Sequence, residues 1–207
     1  RSGSRSNLIP TGFDLTSPGM IINFILFSLT TSAVALIEER RRGTLRRLFV
    51  TRLRRSELIG GKTLGMFSLS FTQQVLLIVI GAVLFGVGYF NAPAALLLVM
   101  IALSIFVSCL GLLLATLFGS EQALIAAAVM ISMAMTALSG GWFPLEITGH
   151  TFSTIGHTLP TAWILDAFRG ISLKGWGIAD VLPAVGVALG WAAVIFALAV
   201  WHFRAAE

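Results

Sequence analysis

Of the 207 residues, 57% are hydrophobic and only 11% are charged, against roughly 25% charged in an ordinary globular domain. So few charges cannot cover the surface of a water-soluble fold, and the net charge of +5 lies in one patch of an otherwise apolar chain, which argues against a nucleic-acid-binding role. The single cysteine, Cys109, lies in an apolar run and leaves no disulfide or metal framework.

Residues 1–18 are polar and rich in Ser, Gly and Pro, and read as an extracytoplasmic tail or the remnant of a preceding domain. From Gly19 to Ile37 no charge occurs, a length just sufficient to cross a bilayer. Residues 38–62 then carry nine Arg or Lys against three Glu, a local charge of +6. No charge follows from Thr63 to Ser120, a run too long for one crossing. Asn91-Ala92-Pro93 offers a break there, because Pro cannot continue the helix ladder. Gly119-Ser120-Glu121-Gln122 is a second, short turn.

Spans are therefore expected at about 19–37, 63–90, 94–118, 123–141 and 178–203. Residues 19–207 read as one all-α, polytopic transmembrane bundle. A barrel is excluded, since its strands would alternate over about ten residues, whereas these runs are continuously apolar. The positive-inside rule puts the basic loop in the cytoplasm. Alternation then places 1–18, 91–93 and 142–177 outside, with 119–122 and the C-terminus inside. Five spans with an outside N-terminus point to a missing first span. Residues 142–177 are too polar to span, and Trp142, Phe143, Trp163 and Trp176 suit a membrane interface.

Within the basic loop, Leu45, Leu48, Phe49 and Leu53 recur at helical spacing with arginines between them. Gly43-Thr44 would end the helix leaving the membrane and start this amphipathic one. Two readings are open: an interfacial helix on anionic headgroups, or a docking helix for a cytoplasmic partner.

The loop reads Glu39-Arg40-Arg41-Arg42-Gly43-Thr44-Leu45-Arg46-Arg47-Leu48, then Thr51-Arg52 and Gly61-Lys62. Further on come Ser139-Gly140-Gly141-Trp142-Phe143-Pro144-Leu145-Glu146, Leu159-Pro160-Thr161-Ala162-Trp163 and Asp166-Ala167-Phe168-Arg169. In kind, order and spacing these stretches resemble the ABC-2 type permeases, the membrane subunits of ATP-binding-cassette exporters. The family pattern has an acid where this chain has Arg41 and a proline where it has Arg52.

The resemblance implies a six-span fold and short outer-leaflet helices before the last span, in the segment carrying Trp142, Phe143, Pro144, Pro160, Asp166 and Arg169. It implies export of a drug, lipid, polysaccharide or ion across a bacterial or archaeal inner membrane. The implied partners are a separate ATPase subunit, which would hold the ATP and magnesium, a second permease half, identical or not, and membrane lipids. This chain itself would bind no cofactor. The ATPase-coupling helix would lie within 38–55, engaging Glu39, Arg40, Arg42, Gly43, Thr44, Leu45, Leu48 and Phe49.

Several weaker signals remain. Gly61-Lys62-Thr63 matches only the end of a phosphate-binding loop, with Ser56 where that motif needs Gly. Gln73 and Gln74 sit inside a span, where an amide either bonds a neighbouring helix or lines a substrate path. Glu121 is a lone acid in a turn, free to be solvated or to pair. Asp166 and Arg169 stand at a spacing that allows a helical ion pair. His150 and His157 lack further metal ligands nearby. Gly186 and Gly190 suit close helix packing. The span interiors hold essentially no ionisable group, which disfavours the main alternative, an ATP-independent channel or ion-coupled carrier. A membrane anchor or assembly subunit is the other alternative.

Overall fold

The computed structural model describes residues 12–41, 55–142 and 154–205. Six helices and no strand occur among the principal elements of the described residues: α1 (Gly12–Arg41), α2 (Arg55–Phe85), α3 (Pro93–Leu117), α4 (Glu121–Leu138), α5 (Pro160–Arg169) and α6 (Ile178–Ala205). Five of them are long and apolar enough to cross a membrane: Thr16–Glu39, Gly60–Phe85, Pro93–Leu117, Glu121–Leu138 and Ile178–His202. The expected all-α, five-span bundle is thus the observed fold.

The boundaries follow local chemistry. Helix α1 begins within the stretch read as polar tail and keeps Pro18 at its seventh position. Proline has no N–H for the preceding turn, so one ladder bond is missing there while the helix continues. Helix α2 stops at Phe85, well before Asn91, because Gly86 turns to a φ of +67°. Only glycine adopts that conformation at little cost. The Val87 N–H then bonds the Gly81 carbonyl, a short 3-10 turn covers Tyr89–Asn91, and Pro93 opens α3 at a position where its missing N–H costs nothing. Ser120 caps α4 by accepting from the Ala123 N–H at 3.3 Å, and Asp180 caps α6 by accepting from the Gly177 N–H at 2.9 Å.

Helix α3 is the centre of the bundle, with 17 of its 25 residues buried. Its most extensive partner is α6, and α1 and α2 also pack against it. Helix α6, which packs on both α3 and α5, buries Val181, Ala184, Ala188, Ala192, Ile195 and Ala199, a stripe at spacings of three and four. Small side chains along such a stripe let two helices approach closely in lipid, where packing rather than water exclusion drives association. The opposite face of α6 carries Leu182, Trp191, Val194 and Trp201, all exposed, as suits contact with lipid tails.

Gly186 and Gly190 are not part of that stripe. A Cβ at either would meet nothing within 4 Å, so the close packing expected of them is absent among the described residues. The close approaches lie elsewhere. A Cβ on Gly19 would run into the Gly141 carbonyl, and one on Gly141 would come within 2.7 Å of the Thr136 side chain.

Helices α1 and α4 run antiparallel in a register fixed by polar contacts. The Asn23 amide donates to Thr136 Oγ1 at 3.2 Å, and Ser132 Oγ donates to the Leu26 carbonyl at 3.0 Å. The bundle thus has two distinct ends. One holds Glu39 and Lys62, and Met66, Leu112 and Ala199 cluster just above it. The other holds the start of α1, the α2–α3 turn, the end of α4 and α5.

Candidate functional site

At the charged end, α1 and α2 are the two legs of the basic loop. Glu39, in the last turns of α1, forms an ion pair with Lys62, in the second turn of α2. Both side chains keep about a third of their surface exposed, 37% and 29%. The pair therefore sits where the legs leave the apolar zone, and it fixes their spacing. Both residues belong to the motif stretches quoted above, yet their pairing was not legible, since 23 positions separate them and span boundaries alone do not set helix rotation. Lys62 lies within a continuous helix. That geometry is the reverse of a phosphate-cradling loop, so the Gly61-Lys62-Thr63 match carries no nucleotide site.

Arg40 lies in α1. Arg42, Gly43, Thr44, Leu45, Leu48 and Phe49 lie outside the described residues, as does the expected coupling helix.

Gln73 and Gln74 each bridge two helices. Gln74 is fully buried, and its amide donates to the Met100 carbonyl at 3.2 Å and to Ser104 Oγ at 2.6 Å, both on α3. Its carbonyl oxygen is buried without a hydrogen-bond partner among the described residues. Gln73 donates to the Phe24 carbonyl on α1 at 3.2 Å. Interhelical bonds of this kind contribute on average about 0.6 kcal/mol in membrane proteins. Gln74 Nε2 thus serves as a tie between α2 and α3.

At the other end a set of contacts joins α1, the α2–α3 turn, the end of α4 and α5 with the turn that follows it. Ser17 on α1 shares a hydrogen bond of 2.9 Å with the Tyr89 hydroxyl, and Tyr89 is buried edge-on against Phe168 of α5. The Asn91 amide donates to the Ser172 carbonyl at 3.2 Å. Arg169 donates to the Gly140 carbonyl at 3.0 Å. Asp166 does not take Arg169 as its partner. It pairs with His157 at 2.9 Å, because the chain before α5 folds back and Trp163 donates to the His157 carbonyl at 2.8 Å. Pro160 is the buried first residue of α5, and Trp142 is exposed after α4. Phe143 and Pro144 lie outside the described residues. After α5 the helix widens into a π turn, Gly170–Lys174, closed by Gly175 at a φ of +66°. Trp176 then folds its ring onto Gly170, where a side chain would clash. Sequence reasoning did not single out Tyr89, and it read Asn91 only as a turn residue and weighed His157 only as a metal ligand.

These features define the class: a multi-pass helical membrane protein whose charged end is a two-legged basic loop and whose opposite end is a polar clasp. The model of the ABC-2 family of transporter proteins matches residues 10–201, and the chain belongs to that family. Among curated relatives, the linearmycin resistance permease protein LnrN of Bacillus subtilis is 27% identical over 187 residues, 90% of this chain and 48% of its own length. ABC transporter G family member 20 of Dictyostelium discoideum is 28% identical over 191 residues, 90% of this chain and 26% of its own. The inner membrane transport permease YhhJ of Escherichia coli is 26% identical over 188 residues, 89% of this chain and 50% of its own. The chain thus spans half or less of the length of these relatives. No solved structure matches it.

Proposed function

We propose that this chain is the membrane-spanning part of an exporter driven by ATP hydrolysed on a separate subunit, and that residues 38–55 couple the two. The carrying observation is that α1 and α2, tied by Glu39 and Lys62, bracket a loop rich in arginine that also holds an apolar stripe, Leu45, Leu48, Phe49 and Leu53. An ATPase that pushes on such a loop moves both legs together. The positive-inside rule favours the cytoplasmic side for the loop, the membrane being a bacterial or archaeal inner membrane in this reading, and a second permease half completes the transporter. The chain's own spans offer no mid-membrane ionisable group to drive a carrier; Asp180 and His202 lie at helix ends. A family relative named for resistance to linearmycin favours outward movement.

The test is the double variant Leu48→Ala with Phe49→Ala in the full-length permease. Docking in a protein groove depends on a few buried anchors, whereas lipid binding depends on summed charge. Loss of ATPase pull-down and of substrate-stimulated ATP hydrolysis, with insertion intact, is the expected outcome. Retention of both makes the loop a membrane-surface element only.

A further inference from the structure

Between the two legs, bordered by the Glu39–Lys62 pair, lies a groove of about 360 Å³. Its walls are matched faces of α1 and α2. On α1 they are Thr31, Ala35, Leu36 and Glu39; on α2 they are Gly61, Lys62, Gly65 and Leu69. Glycines in transmembrane helices usually let a neighbouring backbone approach. Here a Cβ on Gly61 or Gly65 would meet nothing within 4 Å. The glycines open space between α1 and α2 and do not close it.

The chemistry of the groove changes with depth. Glu39 and Lys62 mark the ends of their spans, at headgroup level. Leu69 and Thr31 lie about two helical turns deeper, roughly 12 Å at 1.5 Å per residue, among lipid tails. A cation and an anion side by side at the rim, with a narrow, mainly apolar channel below, match a molecule with both charges on its head and a chain beneath it.

We propose that the groove binds one phospholipid with a zwitterionic, amine-bearing headgroup, drawn from the leaflet that faces the basic loop. Its phosphate pairs with Lys62 and its ammonium with Glu39, each replacing the ion pair the two side chains make with each other. Its acyl chain runs over Ala35, Gly65 and Leu69. A partly exposed ion pair contributes little net free energy, so a headgroup carrying both charges can compete for it. A purely anionic headgroup would satisfy Lys62 and leave Glu39 facing a like charge. The site rests on the membrane placement of α1 and α2; it shares Glu39 and Lys62 with the coupling reading, but lipid retention is read without any ATPase partner.

The experiment uses the full-length permease, purified and incubated with vesicles of equal phosphatidylethanolamine and phosphatidylglycerol, with retained lipid read by native mass spectrometry. The wild type should retain phosphatidylethanolamine at least tenfold over phosphatidylglycerol. Gly65→Leu fills the channel and should cut that retention at least tenfold, whereas Gly186→Leu, on the exposed face of α6, should leave it unchanged. Glu39→Gln should abolish the preference between headgroups. Equal retention of both lipids by the wild type, or undiminished retention in Gly65→Leu, overturns the assignment. Should Gly65→Leu fail to fold, Gly61→Leu decides on the same criterion.

Discussion

The α3–α6 seam and the α1–α2 legs are built from similar residues and do opposite things. Along the seam, Ala184, Ala188, Ala192 and Ala199 are buried against α3, and the two helices make the most extensive contact in the bundle. Between the legs, Ala35, Gly61 and Gly65 line open space, and the polar ties across it among the described residues include Glu39–Lys62 and Gln73. A small residue in a membrane helix therefore means nothing by itself: the rotation of the helix decides whether it brings a neighbour in or leaves room. The seam is suited to remain fixed while the legs are suited to move.

Overfilling the fixed regions should give the largest effect. Gly19→Ala places a methyl against the Gly141 carbonyl, backbone against backbone, and Ala188→Leu overpacks a fully buried position. Each should destabilise by about 3 kcal/mol, read as loss of folded protein in thermal melting. Ala188→Leu melting like the wild type would break the contrast between seam and legs, and Gly19→Ala doing so would show that α1 does not touch the Gly141 carbonyl.

An intermediate effect is expected where a polar tie joins a leg to the core. Gln74→Leu removes two bonds to α3 and should cost on the order of 0.6–1.7 kcal/mol, with transport falling only in proportion to the folded fraction. A transport loss far beyond the folding loss would instead put Gln74 on the substrate path. The rim pair should matter less for stability. Lys62→Met should shift the melting free energy by under about 1 kcal/mol, and high salt should shrink the difference, because the pair is partly exposed. The smallest effect belongs to Gly61→Ala, whose methyl meets nothing; helix propensity should stabilise it by up to about 1 kcal/mol. A loss of stability there would mean that the groove is closed in the membrane.

The spans were legible because hydropathy needs only length and the absence of charge. Their ends were less so. The long run from Thr63 to Ser120 offered Asn91 and Pro93 as the break, but α2 stops earlier at Gly86, since an isolated glycine in an apolar run looks like any other until its φ is known. Faces were hidden for a physical reason. A helix in lipid is apolar all round, so no periodicity separates its buried side from its exposed side. Hence Gly186 and Gly190 drew attention, while the alanine stripe one face away did the packing. The partner of Asp166 was hidden too, because spacing along α5 suggested Arg169, whereas His157 arrives from the preceding turn. The motif residues Glu39 and Lys62 were visible singly and acquired a joint role only once the legs were set side by side.

If the loop between the legs touches an ATP-hydrolysing partner, a photo-crosslinking amino acid at position 49 of the permease, co-expressed with the proposed ATP-binding subunit in intact cells, should form a covalent adduct with that subunit. The adduct should be lost when Leu48 is replaced by Ala. Adducts with lipid alone would show that the loop only lies on the membrane.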